Sequence, residues 1–579
     1  MAYSLIKNKS GQQTNSARIK ILAVLFLLLG GLIIFRLFIL QIIKHSLYEQ
    51  KASGQHRILK ELMPERGKIY ISDKGGNLFN IAGNEELYLL FAVPPEIESA
   101  TATIKAISNI TGWEQKMQEK IFDQLNKVND PYEPLMHYLS GEQKKQIDSL
   151  EITGLYFSLE GKRIYQEGSA FAHLTGFLGY QEDERVGQYG LEEYFEQKLR
   201  GTPGTLKSEK DPAGRLIGVG DFNIESAKNG ADIYLTIDRF VQFKVCEILK
   251  QAVKTYGANG GSIIVEQSKT GELLAMCSEP SFNANNYSQV ESIDVYPNPA
   301  ISAVYEPGSV FKPIIMAAAL DTNSVSPETT YEDKGFLIFG KDKITNAANN
   351  VYGISNMIQV LEKSINTGAV FAAQKTGRLN VKKYLEDFGF GSKLGIDLPE
   401  EVTGNISALD KKGEIYLATA SFGQGISVSP LQMVAAFSVI ANGGILQQPY
   451  IVKKIIANEE TEQTSPQEIR RVISQNTSNT LKAMLVSVVK NGHAKTAQVN
   501  GYDVGGKTGT AQIPGAGGGY LNAYNHTFVG FAPVINTKFT VFVLLKRPTR
   551  GRFAESTAAP TFAQVMSFLL NYYQVAPLE

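Results

Sequence analysis

Tyr305-Glu306-Pro307-Gly308-Ser309-Val310-Phe311-Lys312 runs straight into the apolar segment PIIMAAAL. Pro307-Gly308 breaks the chain, and the run behind it is predicted to be a buried helix. Ser309 then stands at the helix start, with Lys312 one turn on. Residues three apart share a helix face, so the ammonium reaches the hydroxyl. A serine hydroxyl is a poor nucleophile unless a neighbouring base takes its proton. A lysine serves as that base only if burial or nearby positive charge lowers its pKa. The helix N-terminus adds backbone N–H groups and a partial positive charge beside the nucleophile. Alone, S-x-x-K is a weak signal, and a solvated lysine near a serine is the commoner reading.

Two further stretches change its weight. Ser364-Ile365-Asn366 sits in VLEKSINTGAVFAAQ, a predicted helical segment with a turn at its front. Lys507-Thr508-Gly509-Thr510 sits in VGGKTGTAQI, which alternates like a strand. S-x-x-K, S-x-N and K-T-G in this order form the motif set of penicillin-binding proteins and class A β-lactamases. On these motifs the chain resembles a class B penicillin-binding protein of the division type (FtsI-like), a serine D,D-transpeptidase of peptidoglycan. The resemblance covers almost the whole chain.

Composition sets the outer bounds. The chain has 579 residues, enough for more than one domain at about 150 residues each. Its apolar content of 43% is ordinary for a globular protein, and its formal net charge of zero gives no reason to expect nucleic acid as a partner. The two cysteines, Cys246 and Cys277, lack metal-site spacing. They read as buried thiols, with a disulfide possible outside the cytoplasm. No cofactor or metal is expected.

Taken in order, residues 1–20 are polar and carry Lys7, Lys9, Arg18 and Lys20. The run ILAVLFLLLGGLIIF and the following LFILQII flank Arg36. Crossing a bilayer takes about 20 apolar residues, so a single transmembrane helix is predicted over 21–43, with Arg36 snorkelling near its outer end. No small-x-small cleavage site follows, which favours an uncleaved anchor over a signal peptide. The preceding positive charges predict a cytoplasmic N-terminus and an extracytoplasmic bulk at the bacterial cell membrane, in contact with membrane lipid.

Residues 51–221 mix strand-like pieces, KIYIS and LYLLFAV, around a hairpin turn at Asp73-Lys74-Gly75-Gly76-Asn77. The span from Ile104 to Leu150 is predicted helical. This region holds no convincing nucleophile–base pair, and His137 and His173 read as ordinary surface or packed residues. Arg66-Gly67-Lys68-Ile69, KRIYQEGSAFAHLTGFLG and GQYGLEEYFEQKLRGTPG resemble the non-catalytic, dimerisation-type pedestal of the class B family. From 231 to 575 the pattern is α+β: a strand, a cap at Asp238, an amphipathic helix, the strands GGSIIVEQ and GELLAMCSE, then more strands and helices ending in FAQVMSFLLNYY. That resembles the penicillin-recognising transpeptidase domain, an antiparallel sheet flanked by helices. No further domain is expected after it.

The resemblance implies a mechanism and partners. The substrate is a stem peptide ending in D-Ala-D-Ala. Ser309 attacks it, Lys312 is the base, Ser364 relays a proton, and Asn366 holds Lys312 and the substrate amide. Lys507 and Thr508 receive the terminal carboxylate, while Gly509 lets the substrate backbone lie along the strand. The backbone N–H groups of Ser309 and Thr510 form the oxyanion hole. Ser421-Phe422-Gly423-Gln424-Gly425 matches the family as support for the site. The Gly515–Gly519 loop lacks the setting of a phosphate loop. The implied partners are β-lactams as covalent inhibitors, a SEDS glycosyltransferase (FtsW-like) and other division proteins. Three rival readings are an elongation-type transpeptidase, a β-lactamase-like hydrolase and a membrane β-lactam sensor. No E-x-x-L-N segment for deacylation lies between Ser364 and Lys507, and a sensor would need several spans.

Overall fold

The computed structural model describes residues 13–44, 57–127, 130–182, 184–209, 223–515 and 517–577. The tail cations Lys7 and Lys9, and the predicted pedestal limits at 51 and 221, lie outside these residues. The chain divides into two compact units, Met1–Pro64 with Thr202–Lys228, and Glu65–Gly201 with Asn229–Glu579.

The first unit contains a helix, Gln13–Phe38, that continues as a π-helical turn over Ile39–Ile43. Among the described residues its segment Ile19–Ile43 is the one helix long and apolar enough to cross a membrane. Most of its leucines, isoleucines and phenylalanines are exposed, which suits a membrane anchor. The unit also holds an antiparallel sheet of Arg57–Leu62, Gly204–Glu209 and Asn223–Glu225. Arg57–Leu62 and Gly204–Glu209 fall within the region predicted to be pedestal, 51–221, and Asn223–Glu225 lies just beyond it; all three belong to this first unit.

In the second unit, the pedestal is built on a seven-stranded sheet around Leu78–Ala92. That long strand pairs antiparallel with Ile69–Ser72, Glu133–Leu139 and Leu155–Tyr165. Helices Ala100–Thr111, Gln115–Leu125 and Gly141–Asp148 bury Ile104, Ile107, Ile121 and Ile147 against Leu90, Leu135 and Leu139. The uniformly helical expectation for Ile104–Leu150 is therefore corrected: a strand interrupts it. Pro131 and Pro134 bracket the start of that strand, and proline stops a helix one residue before itself. His137 is exposed and pairs with Glu160, whereas His173 is buried and bonds the Val295 carbonyl at 2.9 Å.

Three strands from residues 232–463 complete the same sheet. Asp232–Asp238 pairs parallel with Ile69–Ser72, Val452–Ala457 pairs with Asp232–Asp238, and Glu460–Gln463 forms the edge.

The catalytic domain has a five-stranded, wholly antiparallel sheet. We number its strands β1 (Gly260–Gln267), β2 (Leu273–Glu279), β3 (Gly505–Pro514), β4 (Tyr520–Ala532) and β5 (Phe539–Lys546), in spatial order β2-β1-β5-β4-β3. Its helices include α1 (Arg239–Tyr256), α2 (Lys312–Asp321), α3 (Met357–Glu362), α4 (Asn366–Thr376), α5 (Pro430–Ala441) and α6 (Ala558–Tyr572). α1 is capped by Asp238, whose carboxylate accepts from the Phe240 and Val241 N–H groups. α1 and α6 pack together and cover one side of the sheet, and α5 packs on β1, β4 and β5. Every residue of α5 is buried, as a helix apolar all round requires. Cys246 on α1 and Cys277 on β2 form a disulfide in place of the expected free thiols. The packing of α1 against β2 brings them together across 31 positions of sequence.

The pedestal depends on one buried ion cluster. Glu192 is completely buried; its Oε1 accepts from Arg163 Nε at 2.8 Å and its Oε2 from Arg66 Nε at 2.7 Å. Burial alone would push the Glu192 pKa up, but the two guanidiniums reverse that and hold it below the usual carboxylate range. A carboxylate with a depressed folded pKa contributes stability above its unfolded pKa, and that stability is lost as pH falls through the folded value. Glu192→Ala leaves the buried Arg163 without a counter-ion and Arg66 with Glu196 alone. It should cost about 3–5 kcal/mol in denaturant melts at neutral pH, and the loss should shrink at acid pH as the parent's own carboxylate protonates.

Candidate active site

Ser309 lies in a single 3₁₀ turn, Gly308–Phe311, and the α-helix proper begins at Lys312. The expected helix start therefore falls three residues late. Pro313 at the first turn of α2 fixes that start, since its missing N–H is not needed there. Gly308 sits at φ +60°, a left-handed value that glycine adopts without steric cost. Helix α2 is buried on every side, so Lys312 is carried into the interior at 1% exposure.

Lys312 Nζ donates to the Ser364 carbonyl at 2.5 Å, to Ser364 Oγ at 3.2 Å and to Asn366 Oδ1 at 2.8 Å. These three acceptors match the three protons of an ammonium. All of them belong to the S-x-N segment, and Ser309 Oγ is not among them; the simple same-face contact expected of S-x-x-K is replaced by a bond across the cleft. The turn predicted at the front of one helix is instead a break between two, α3 and α4. Ser364 occupies it at φ +54°, an uncommon conformation for a residue with a side chain. That conformation accompanies the bond from Lys312 to the Ser364 carbonyl. Asn366 opens α4, and its Nδ2 donates to the Thr345 carbonyl at 2.9 Å, which leaves Oδ1 for Lys312.

Lys507 enters from β3, the edge strand of the sheet. It is fully buried, and its Nζ donates to Ser364 Oγ at 3.0 Å and to Thr508 Oγ1 at 3.4 Å. Ser364 Oγ thus lies between two ammonium groups. Burial first, then the charge of Lys507, pushes the Lys312 pKa well below the ordinary lysine value. Burial brings Lys507 down to about 7. A lysine brought to about 7, as Lys507 is, titrates near neutral pH and can move protons there.

Several contacts hold the nucleophile turn, and the sequence motifs do not announce them. Gly423, in the Ser421–Gly425 stretch, sits at φ +78° and its carbonyl accepts from Gly308 N at 3.0 Å. A Cβ on Gly423 would lie 2.3 Å from the Gly308 carbonyl oxygen. Glu306 Oε1 accepts from Gly425 N at 2.9 Å, and its Oε2 accepts from Tyr520 Oη at 3.0 Å. One carboxylate thereby ties the turn to both neighbouring loops. Gly509 also serves this packing: a Cβ there would stand 3.0 Å from the Pro307 carbonyl oxygen and 2.9 Å from a Val310 methyl. Its small size therefore lets β3 lie against the nucleophile turn, in addition to any role toward substrate. Thr510 Oγ1 accepts from Ala554 N at 3.0 Å. Among the described residues no strand pairs with the outer edge of β3. That edge can take an extended peptide, as edge strands do in β-augmentation. No group of metal-ligating side chains occurs among the described residues.

A serine on a short turn, two buried lysines and an open strand edge are an arrangement suited to acyl transfer through a serine. Residues 261–567 match the penicillin binding protein transpeptidase domain, and residues 61–235 match the penicillin-binding protein dimerisation domain. The stage V sporulation protein D of Bacillus subtilis is 32% identical over 566 residues, covering 96% of this chain and 86% of that one. The Neisseria meningitidis protein named "Probable peptidoglycan D,D-transpeptidase PenA" is 28% identical over 572 residues, covering 98% and 94%. The crystal structure of penicillin binding protein 3 from Mycobacterium tuberculosis superposes with a TM-score of 0.68 at 26% identity, over 90% of this chain and 98% of that one. The chain belongs to the class B penicillin-binding proteins, transpeptidases related to the division-associated members of that class.

The glycine at 423 gives a direct test of the turn. Gly423→Ala adds a methyl where the Gly308 backbone already is, in a conformation that disfavours it. Displacing the serine by about 1 Å should slow its acylation by about 10²-fold. Labelled penicillin measures that rate, and the thermal melt should show a folded domain.

Proposed function

We propose that this chain cross-links peptidoglycan by a D,D-transpeptidase reaction through an ester on Ser309. The observation that carries this reading is Ser364 Oγ, held at 3.2 Å from one lysine and 3.0 Å from the other. A single hydroxyl between two buried nitrogens is a proton relay that changes direction as the lysines titrate. Ser309 Oγ attacks the carbonyl of the penultimate D-alanine, and Lys312 in its neutral form takes the proton. The backbone N–H groups of Ser309 and Thr510 receive the oxyanion, where each donor is worth about 2.7–4 kcal/mol. Collapse expels the terminal D-alanine, whose nitrogen takes a proton through Ser364 Oγ. Lys507 and Thr508 hold its carboxylate, and Asn366 keeps Lys312 in place. The amine of a second stem peptide then attacks the ester, forms the new amide and returns Ser309 to its hydroxyl form.

The setting proposed is septal wall synthesis, with the N-terminus in the cytoplasm, the catalytic domain outside and a SEDS glycosyltransferase supplying glycan strands. The positive residues before Ile21 support that orientation. The likeness to a sporulation protein supports a second setting, wall synthesis during spore formation. Depletion in cells separates these from side-wall elongation: filaments mark division, round cells mark elongation, and a defect confined to spores marks the second setting.

Two measurements test the chemistry. Labelled penicillin should acylate the full chain once, and Ser309→Ala should abolish labelling without unfolding it. The acyl-enzyme should persist for minutes to hours, and rapid β-lactam turnover would restore the hydrolase reading. The acylation rate should also rise as pH climbs through the Lys312 pKa, because only the neutral amine accepts the proton. Lys507→Ala removes a like charge, so the Lys312 pKa rises toward its ordinary value. The acidic limb of the pH–rate curve should therefore move to higher pH, together with a lower plateau.

A further inference from the structure

Behind the S-x-N segment lies a carboxylate that the reaction does not touch. Asp333 ends the strand Thr330–Asp333 and is 2% exposed. Among the described residues it has no cation within salt-bridge distance. Its partners are neutral donors. Oδ1 accepts from Thr367 Oγ1 at 2.7 Å and Gly335 N at 2.9 Å, and Oδ2 accepts from Tyr352 N at 2.8 Å. The side-chain amide of Asn346, 3% exposed, donates to both oxygens at 3.1 and 2.9 Å. A buried carboxylate held only by neutral donors is uncommon, since burial disfavours the charged form.

The consequence lies one residue further along. With Nδ2 turned to Asp333, Asn346 must point Oδ1 at α4. It accepts there from Asn366 N at 3.0 Å and Thr367 N at 3.2 Å, the first two N–H groups of the helix. The preceding carbonyl, Thr345, accepts from Asn366 Nδ2 at 2.9 Å. Asn366 is thus gripped at its backbone and at its amide nitrogen, so its Oδ1 faces Lys312 Nζ at 2.8 Å. An amide is pseudo-symmetric and turns over easily unless its partners forbid it. Three acceptors with no donor to offer fix the sense of the two amides: the Asp333 carboxylate and the Asn350 carbonyl, at 3.1 Å, for Asn346 Nδ2, and the Thr345 carbonyl for Asn366 Nδ2.

We propose that Asp333 is a positioning residue for acylation, acting through Asn346 to hold Asn366 with its oxygen toward Lys312. This rests on the reading of Ser309 as the acylated nucleophile. Replacing the carboxylate by an amide puts a donor where Asn346 Nδ2 and the Tyr352 and Gly335 N–H groups now point. The Asn346 side chain then loses its Asp333 acceptors, and its Oδ1 loosens its hold on the Asn366 and Thr367 N–H groups. Asn366 Oδ1 shifts away from Lys312 Nζ with them, and losing that acceptor favours the neutral amine. Lys507 and His493 are the other titratable groups about Lys312; burial and then the two ammoniums hold His493 below its ordinary pKa.

The test is the second-order rate of acylation by labelled penicillin, across pH, on the full chain in detergent. Asp333→Asn should acylate about ten- to hundredfold more slowly, with its acidic limb moved to lower pH. Asn346→Ala, which leaves Asp333 its Thr367, Gly335 and Tyr352 donors, should show the same loss and guards against misfolding of the first variant. Adding Asn346→Asp to Asp333→Asn restores a donor–acceptor pair of the opposite sense and should recover part of the rate. A purely structural role would lower the amount of protein labelled at an unchanged rate and limb, and would overturn the proposal. Parental rates in either single variant would do so too. Failure of the parent itself to label would instead count against the acyl-transfer reading.

Discussion

Two lysine ammoniums in the interior of one domain, sharing a serine hydroxyl, form the constraint on which the site depends. Lys312 and Lys507 are each buried, and both donate to Ser364 Oγ. Two like charges in a poorly polarisable setting repel strongly, and burying even one is costly. At least one nitrogen is therefore driven toward the neutral form, and a neutral amine is the species a serine nucleophile requires. The pair titrates as a unit, so its protons are best assigned to the pair and not to either lysine alone. The acid–base capacity comes from where the helix and the strand begin.

The surrounding structure supplies that placement. α2 is apolar apart from its terminal residues, so it sinks into the core and takes Lys312 with it. β3 is an edge strand, so Lys507 reaches the same point from the side while its outer backbone edge stays open. The left-handed Ser364 breaks the path between α3 and α4 and offers both its carbonyl and its hydroxyl. Such conformations cost about 1–3 kcal/mol and persist when neighbours over-determine them. The glycines at 308, 423 and 509 remove side chains at the points where three backbones meet. A site assembled this way tolerates little displacement.

Much of this was legible in the sequence, for local reasons. The three motifs, the apolar helix near the N-terminus and the α+β alternation are patterns of neighbouring residues, and each appears in the structure where the pattern lies. What the sequence did not disclose depends on partners far apart. Cys246 and Cys277 pair because α1 happens to lie on β2. The strand Glu133–Leu139 hides in a helical-looking region because its partner is Leu78–Ala92, and pairing overrides local preference. Glu306 reads as a surface charge until Gly425 and Tyr520 close on it. Asp333 and Asn346 lie in the unremarkable stretch YEDKGFLIFGKDKITN, and nothing there marks a connection to a motif eighteen or more positions on. The S-x-N serine and the K-T-G glycine were recognised by type, yet their conformation and their packing duty come only from the three-dimensional arrangement.

The sheet of the pedestal closes with Asp232–Asp238, where the catalytic domain begins, and with Val452–Ala457, which the chain reaches only well into that domain. A chain made from its N-terminus folds early segments first when they are self-sufficient. This one is not: until the residues near 452 arrive, the parallel neighbour of Ile69–Ser72 has no outer partner of its own. The module that comes first in sequence is not finished first: its sheet waits for a strand that lies inside the module that follows. A molecule truncated before that segment keeps an unpaired strand edge, whose free N–H and C=O groups can pair with another chain instead.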